Sequence, residues 1–297
     1  MPGEPTALTV IDQRQVLRKA LDAERAAGHT IGLVPTMGSL HGGHTSLIGR
    51  AASECDAVAV TLYVNPLQFG PTEDLARYPR DPAGDAAAAE AAGADYLFAP
   101  RNEEMFPEPP LTAVTVAGIS DVLEGARRPG HFAGVATVVT KLLSLAGPCR
   151  AYFGEKDYQQ LVVIRRLVAD LSLPAEVIGC PTVRQADGLA LSSRNAYLDP
   201  AERAAAPTLF RALQAGRAAV ETDRVTDAAI VRAVMADVVA KEPRCRLDYA
   251  DVADPATLAP LTTIAGPARL LIAARLGRTR LIDNLSVTAS PVPPPEP

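Results

Sequence analysis

Short runs rich in β-branched residues alternate with longer helical patterns through the first two-thirds of the chain. The runs at 31–35 and 57–64 are almost entirely apolar, which is typical of strands that are buried on both faces. Runs at 94–99, 150–153 and 175–183 predict further strands of the same kind. Because strand–helix alternation implies a parallel sheet with right-handed crossovers, we predict an α/β fold with a Rossmann-like, doubly wound parallel sheet.

The predicted helices carry recognisable end signals. Asp81 precedes Pro82, and this pair predicts an N-cap followed by proline in the first helical position. Gly93 stands where a glycine commonly follows the last turn of a helix. The helices predicted between the strands cover residues 13–27, 44–54, 82–92, 133–146 and 158–171.

The pattern changes after about residue 184, where helices are followed by strands. Asp199, Pro200 and Glu202 predict a helix start with an N-cap and a capping-box acid. This order favours a smaller C-terminal α+β domain over a continuation of the parallel sheet. Its other predicted elements are a helix at 225–241 and strands at 247–252, 270–276 and 281–287, the last two joined as a hairpin through 277–279.

These patterns divide the chain into three segments. We expect a Rossmann-like domain over residues 1–184, a C-terminal α+β domain over 185–290, and a disordered tail over 291–297, which is nearly all proline. Residues 1–5 lack the basic region and apolar run of a signal peptide. We therefore expect a cytoplasmic protein that does not enter a membrane.

Charge, cysteines and motifs exclude several classes of function. A formal net charge of -5 argues against a general binder of nucleic acid or anionic membranes. The 4 cysteines contain no Cys-x-x-Cys pair, and the 4 histidines leave little for a metal site. Neither Gly-x-x-x-x-Gly-Lys-Ser/Thr nor Gly-x-Gly-x-x-Gly occurs, so P-loop NTPases and ordinary dinucleotide-binding proteins lose most of their support.

The segment from Pro35 to His44 lies between a predicted buried strand and a helix and is rich in glycine. Glycines let the backbone approach a ligand closely, and the N-terminus of the following helix favours a phosphate. His41 and His44 are three residues apart, so both can donate hydrogen bonds to one anion. A lone histidine would indicate an ordinary surface residue, but this pair favours a binding site for the phosphates of a nucleotide.

Asn65 and Gln68 follow the second predicted strand. Ligands of open α/β sheets bind at the carboxyl ends of the strands, where these neutral amides would orient a substrate that carries hydroxyl groups. A proline-terminated strand followed by polar turn residues is an equally good interpretation of this segment alone.

A third segment, at 153–160, runs through a glycine into a helix. Lys156 suits phosphate oxygens, Asp157 suits ribose hydroxyls, and Gln160 lies one helical turn further on. The alternative is a capped helix in which Asp157 is the N-cap and Lys156 is solvated.

The fourth segment lies at the proposed domain boundary, at 187–195. Ser192, Ser193 and Arg194 on a flexible, glycine-bearing loop would form a mobile phosphate clamp. A serine-rich linker is about as consistent with this segment in isolation.

A weaker candidate is the charged turn that precedes the helix predicted to begin near residue 133. We interpret this turn as a solvated loop. Its charged residues are Glu124, Arg127, Arg128 and His131.

Taken together, the four segments resemble the pantoate–β-alanine ligases, the pantothenate synthetase family of the nucleotidyltransferase superfamily marked by His-x-Gly-His. The resemblance extends from 34–38 through 153–160 to 191–194 and 283–284. It implies ATP-dependent condensation of (R)-pantoate with β-alanine through a pantoyl adenylate, with release of AMP and pyrophosphate. It also implies Mg²⁺ on the ATP phosphates, without predicting a metal-binding side chain, and a homodimer formed through the N-terminal domain. Because a pantoyl adenylate hydrolyses easily in water, we expect the smaller domain to act as a lid.

The resemblance assigns roles residue by residue. Gln68 would contact pantoate and β-alanine, Gln160 would contact pantoate, and Asn65 is included among the substrate-binding residues. The catalytic residues would be His44, His41, Lys156, Ser192, Ser193 and Arg194. The ATP-binding residues would be Met37, Gly38, Ser39, Leu40, His41, Gly42, Gly43, His44, Gly154, Glu155, Lys156, Asp157, Val183, Leu191, Ser192, Ser193 and Arg194.

Two positions depart from the family pattern. Gly42 replaces an acidic residue that is common at that place, and Leu191 stands where many members have methionine. An acid is not needed to bind a phosphate, so we expect neither change to abolish activity.

Two other functions fit parts of the sequence. One is a nucleotidyltransferase of the same superfamily that adds AMP or CMP to a phosphorylated acceptor, although Asn65, Gln68 and Gln160 are neutral where such an acceptor needs basic residues. The other is a catalytically silent ATP-binding regulator, against which Lys156, His44 and Ser192 argue.

Overall fold

The computed structural model describes residues 7–71 and 73–289. The segments 1–5 and 291–297, on which the absence of a signal peptide and the disordered tail were predicted, lie outside the described residues. The chain forms two compact units, one comprising the chain up to Glu155 together with Gln159–Val183, and the other Lys156–Tyr158 together with the chain from Arg184 onward.

The first unit contains, within the described residues, a six-stranded sheet with the strand order β1-β4-β3-β2-β5-β6. Every neighbouring pair in this sheet is parallel, which confirms the doubly wound α/β fold. The strands are β1 (Thr9–Ile11), β2 (Ile31–Thr36), β3 (Ala57–Leu62), β4 (Tyr96–Phe98), β5 (Cys149–Gly154) and β6 (Ala175–Cys180).

Helices connect these strands. Asp81 caps its helix as predicted, because its side chain accepts the Gly84 backbone N–H at 3.0 Å, and Gly93 has the positive φ of +95° that favours glycine there. The helices are α1 (Arg14–Ala26), α2 (Gly42–Glu54), α3 (Pro82–Ala91), α4 (Asn102–Met105), α5 (Leu123–Arg127), α6 (His131–Ala146) and α7 (Tyr158–Asp170), with 3-10 turns at Pro66–Gln68, Leu75–Arg77 and Glu155–Asp157.

The strand order places the topological switch point of the sheet next to β2. The chain leaves β2 for β3 on one side and later returns to β5 on the other, so β2 and β5 flank the topological switch point. In open α/β sheets, ligands bind outside the carboxyl ends of the strands at such a point. The loops that follow Thr36 and Gly154 are therefore where a ligand site is expected.

The observed strands and helices differ from the predicted ones mainly at their ends. β1 has three residues, too few for a periodic pattern, and was not predicted. The run 57–64 ends in the sheet at Leu62, just before the 3-10 turn that starts at Pro66. Helix α6 begins at His131 rather than near residue 133.

The second unit is an α+β body, as predicted. Its described strands form an antiparallel sheet with the order β7-β8-β9, and β8 and β9 pair through the two-residue turn Gly277-Arg278. Its elements are a 3-10 turn (Ser193–Tyr197), the helices α8 (Pro200–Ala205), α9 (Thr208–Glu221) and α10 (Ala228–Ala240), and the strands β7 (Cys245–Ala253), β8 (Pro267–Leu276) and β9 (Thr279–Thr288).

A capping box explains the start of α8 in the second unit. The predicted capping box is present, since Glu202 N–H donates to Asp199 at 2.8 Å and Asp199 N–H donates to Glu202 at 3.1 Å. The helix that it opens stops at Ala205, because Pro207 has no N–H to continue the ladder, and α9 follows.

Across the described ranges, every helix falls short of the length and hydrophobicity that a membrane span requires.

Candidate active site

The loop that leaves β2 is built around a buried carboxylate. Asp85 on α3 is 5% exposed and accepts the backbone N–H groups of Ser39 at 2.9 Å and Leu40 at 2.6 Å. Gly38 has φ +84°, and a Cβ there would lie 2.9 Å from the carboxylate, so the position requires glycine. These contacts fix the shape of the predicted phosphate-binding loop at the switch point.

His41 and His44 meet at the start of α2. The Nδ1 atom of His41 accepts the Gly43 N–H at 3.1 Å, and the Nδ1 atom of His44 accepts the His41 N–H at 3.4 Å. Their ring centroids are 4.1 Å apart. Because Nδ1 is the acceptor in both rings, each neutral imidazole carries its proton on Nε2. The two histidines thus cap the helix with one nitrogen and have an N–H donor on the other.

Gln68 lies next to Met37, and its orientation is set by Asn65. Asn65 is 1% exposed, and its Nδ2 donates to Gln68 Oε1 at 3.1 Å and to the Gly134 carbonyl at 3.1 Å. Its Oδ1 accepts the Leu67 N–H at 3.3 Å. Asn65, which the sequence included among substrate ligands, therefore uses its amide inside the protein. Gln68 consequently directs Nε2, a donor, toward Met37 Sδ at 3.1 Å.

The charged turn before α6 is not a solvated loop, so that prediction is wrong for three of its four residues. Glu124 is 6% exposed, and His131 and Arg128 hydrogen-bond to each other at 2.9 Å. Arg127 is exposed. Burial, assisted by the Arg128 charge, lowers the pKa of His131 to about 4. The available signal was Gly134, a glycine within an apolar helical run, which indicates close packing.

Two adjacent glutamines begin α7 but have different surroundings. Gln159 is 4% exposed, accepts the Glu124 N–H at 3.0 Å, and donates to the carbonyls of Ile119 and Val122 at 2.8 Å each. Gln159 therefore stabilises the fold. The predicted pantoate ligand Gln160 is half-buried beside it.

The other predicted ATP residues of the first unit follow β5 and β6. Gly154 ends β5, and no described atom lies within 4 Å of where its Cβ would stand. This leaves room for a ligand at the carboxyl end of β5. Glu155 follows at the start of a 3-10 turn, and Val183 is half-buried three residues after the end of β6.

In the second unit, Lys156 is held through its main chain. Asn284 is 3% exposed, and its Nδ2 donates to the Lys156 carbonyl at 2.8 Å. Its Oδ1 accepts Arg269 Nε at 2.7 Å, and that guanidinium stacks 3.8 Å over the Tyr158 ring. The Lys156 ammonium lies 3.5 Å from Asp157. Sequence reasoning missed Arg269, which no nearby motif marks.

A small cavity of the second unit brings Lys156 and Ser192 together, and Asn195 and Asp283 also line it. Asp283 is 4% exposed and accepts a bidentate pair of hydrogen bonds from Arg184, at 2.6 and 2.8 Å. This ion pair is of the planar, charge-assisted kind that fixes geometry.

The loop at 187–195 makes several contacts within the second unit. Asp187 forms an ion pair with Arg203 at 2.6 Å, and its Oδ1 accepts the Leu189 N–H at 3.1 Å. Ser192 caps the following 3-10 turn, accepting the Arg194 N–H at 3.3 Å. Ser193 and Arg194 are thus the first two residues of this 3-10 turn, and Ser192 is its N-cap.

The part of the chain that the structure describes contains neither a metal-binding cluster nor a disulfide bond. No group of three His, Cys, Asp or Glu side chains there is arranged to hold a metal ion. All 4 cysteines, Cys55, Cys149, Cys180 and Cys245, are free thiols.

Comparison with known proteins covers almost the whole chain. The family model described as Pantoate-beta-alanine ligase matches residues 9–286. Pantothenate synthetase of Deinococcus radiodurans is 54% identical over 272 residues, which cover 89% of this chain and 96% of the relative. That of Rhizobium johnstonii is 52% identical over 268 residues, covering 90% of this chain and 88% of the relative.

Solved structures agree with the sequence comparisons. The crystal structure of pantothenate synthetase from Thermus thermophilus matches with a TM-score of 0.88 and 49% identity, covering 93% of this chain and 98% of that one. Pantoate-β-alanine ligase from Francisella tularensis, complexed with β-γ ATP and β-alanine, matches with a TM-score of 0.78 and 33% identity over 94% and 97% of the two chains. The chain therefore belongs to the pantoate–β-alanine ligase family.

Proposed function

We propose that this ligase joins (R)-pantoate to β-alanine in two half-reactions. In the first, the pantoate carboxylate attacks the α-phosphorus of ATP, forming pantoyl adenylate and releasing pyrophosphate. In the second, the β-alanine amine displaces AMP and forms the amide of pantothenate. The attacking carboxylate is already an anion, so the first step needs positioning and charge stabilisation rather than a general base.

The turn at the end of β2 is the observation that carries this proposal. At the switch point of the sheet, this turn brings together the N-terminus of α2 and two imidazoles that carry N–H on Nε2. Helix N-termini and N–H donors stabilise phosphate oxygens, most strongly when charge builds up in the transition state. We assign the ATP phosphates to residues 37–44 and the proton-donor role to His44.

The acid substrate is assigned to the amides. Gln68 has a fixed donor in Nε2, which suits the carboxylate and hydroxyl groups of pantoate. Gln160 would supply a second amide, and β-alanine would border Gln68. The relative from Francisella tularensis, complexed with β-γ ATP and β-alanine, supports ATP and β-alanine as two of the three substrates.

Basic and hydroxyl groups of the second unit would act on the nucleotide. Lys156 is a point charge suited to phosphate oxygens, and Ser192, Ser193 and Arg194 supply further donors. Asp157 would contact the ribose. Mg²⁺ would arrive with ATP and remain on its phosphates, because Mg²⁺ commonly keeps several waters and binds through substrate phosphates. It would neutralise charge on the departing pyrophosphate.

Location and assembly extend the proposal. A cytoplasmic location accords with free thiols at all 4 cysteines and with ATP as co-substrate. The family resemblance favours a homodimer, which sedimentation velocity at several protein concentrations tests directly.

Pantoate-dependent exchange between ATP and pyrophosphate tests the function. With ATP, Mg²⁺ and labelled pyrophosphate, label should enter ATP only when pantoate is present, and β-alanine should not be required. A nucleotidyltransferase would require a phosphorylated acceptor instead, and a silent regulator would give no exchange. Exchange that is independent of pantoate would overturn the proposal.

A further inference from the structure

The N-terminal turn of α6 packs directly on the 3-10 turn that carries Gln68. A Cβ on Gly134 would overlap the carbonyl of Leu67, so the two backbones touch only because Gly134 has no side chain. Asn65 Nδ2 donates to the Gly134 carbonyl at 3.1 Å across the same contact. The Gln68 turn is therefore held against a helix rather than projecting freely.

His131, the first residue of α6, reaches the same turn with its side chain. Its Nδ1 lies 2.8 Å from the Gln68 carbonyl, which can only accept, so Nδ1 carries the proton. Its Nε2 lies 2.9 Å from an Arg128 Nη1 donor, so Nε2 is the acceptor. Both contacts are satisfied together by one species, the neutral imidazole with its proton on Nδ1.

Arg128 is itself fixed on the other side. Its guanidinium donates to both carboxylate oxygens of Glu73, at 2.7 and 2.6 Å, in the bidentate geometry that gives arginine pairs their specificity. Contacts thus run from Glu73 through Arg128 and His131 to the Gln68 carbonyl, which also accepts a longer hydrogen bond from Arg128 Nη2, at 3.5 Å against 2.8 Å for His131. Of the four residues in this series of contacts, only Gln68 is assigned to a substrate.

The charge state of His131 agrees with this geometry. Burial is the main cause, and Arg128 the second, of a pKa for His131 of about 4, although Gln68, Glu73 and Glu124 act in the opposite direction. A protonated ring would lose its acceptor and place a second cation against Arg128. The neutral contact to Gln68 is therefore maintained throughout the physiological pH range.

We propose that His131 is a positioning residue for pantoate, because it holds the main chain of Gln68 while Asn65 orients the side-chain amide. This inference rests on the assignment of Gln68 to pantoate. Gln68 is then fixed at both ends, so the two N–H groups of its Nε2, one of which points at Met37 Sδ, keep a fixed orientation. Binding groups must be held within about 0.5 Å of their productive geometry, so releasing the main chain weakens the contact with pantoate.

A pair of substitutions at His131 tests the role. In His131→Asn, the amide Nδ2 stands close to the position of imidazole Nδ1 and can still donate to Gln68, whereas His131→Leu removes the donor. A net hydrogen bond corresponds to a change of about two- to twelvefold in binding. We expect His131→Leu to raise the pantoate KM by about that factor while leaving the ATP KM unchanged, and His131→Asn to restore most of the loss.

A third variant covers the case in which His131→Leu does not fold. In His131→Gln, the new side chain is polar and only one methylene longer than in His131→Asn. Its amide therefore lies one bond further from the backbone. We expect His131→Gln to raise the pantoate KM and His131→Asn to stay near the wild type, with circular dichroism confirming that both are folded. Equal pantoate KM values in these two variants and the wild type would overturn the proposal.

A double substitution separates this inference from the function on which it rests. If His131 acts through Gln68, His131→Leu combined with Gln68→Ala should raise the pantoate KM no further than Gln68→Ala alone. A full additional increase would overturn the positioning role and leave the pantoate assignment intact. An unchanged pantoate KM in Gln68→Ala would instead overturn the pantoate assignment itself.

Discussion

His44 caps the backbone of His41, accepting its N–H through Nδ1 at 3.4 Å. Since the capping nitrogen is Nδ1, the nitrogen that holds the proton in the neutral ring is Nε2. The same side chain thus combines a structural contact and a donor at two separate atoms. Substitutions that mimic one atom at a time separate these two contributions.

His44→Asn places an oxygen near the position of Nδ1 and keeps the cap, but has no donor at the position of Nε2. We expect adenylate formation to fall by about 10²- to 10³-fold, the usual effect of removing one transition-state donor. His44→Gln should recover part of that rate and lose about 0.5–2 kcal/mol of stability with the cap. Rapid-quench measurement and urea unfolding check both, and a wild-type rate in His44→Asn would remove His44 from the proton-donor role.

Lys156→Ala should affect the chemical step more than ATP binding, because the charge that Lys156 meets is greatest in the transition state. We expect a fall of about 10²- to 10³-fold in single-turnover adenylate formation, with the ATP dissociation constant changed much less. As a control, Lys241→Ala removes an exposed lysine at the end of α10, away from the cavity that Lys156 lines, and should leave the rate unchanged. An undiminished rate in Lys156→Ala would contradict the assignment.

Gln159 and Gln160 form a matched pair in sequence with opposite expected effects. Gln160→Ala should weaken pantoate binding by about two- to twelvefold and spare stability. Gln159→Ala should instead lower the free energy of unfolding by about 1–3 kcal/mol, because it strands the Glu124 N–H and two carbonyls. Titration calorimetry and urea unfolding on both variants distinguish the effects, and normal pantoate binding in Gln160→Ala would remove that residue from the pocket.

Local signals in the sequence predicted local structure well. Asp81, Gly93 and the Asp199 capping box act within four residues of the backbone groups that they satisfy, so each could be recognised from its neighbours alone. The buried strands β2 and β3 were recognisable for a similar reason, because strands covered on both faces need apolar residues throughout.

Contacts between distant residues were beyond the same reasoning. The charge run at 124–131 suggests solvation, and nothing near it reveals that His131 meets a carbonyl 63 positions earlier in the chain. Asn65 was expected to contact substrate because it follows a strand, whereas its partner Gly134 lies 69 positions away. Whether a polar side chain binds a substrate or stabilises the fold can be decided only when its tertiary partners are known.

Stability should depend on pH through His131. Its pKa is about 4 in the folded chain against an ordinary 6.5, so the unfolded chain binds the proton first as pH falls. The contribution of neutral His131 to the free energy of unfolding is therefore fully present above pH 6.5. It is lost between pH 6.5 and about 4, by about 3 kcal/mol in total. His131→Asn cannot titrate, so its unfolding free energy should fall less over this range; parallel curves for the two proteins would contradict the shift.

The position of attack on ATP decides between two chemistries that make the same amide. Attack on the γ-phosphorus would give an acyl phosphate and ADP, whereas attack on the α-phosphorus gives the adenylate, AMP and pyrophosphate. Lys156 is adjacent to Asp157, the proposed ribose ligand, and a cation next to the ribose lies near the α-phosphate. Pantoate labelled with ¹⁸O in its carboxylate should therefore transfer one labelled oxygen to AMP, because the attacking oxygen stays on phosphorus when the amine displaces the adenylate. Mass spectrometry of the products, with a reaction lacking β-alanine as control, measures the transfer. Label in inorganic phosphate, with ADP as the nucleotide product, would overturn the α-phosphorus route and the roles given to His44 and Lys156.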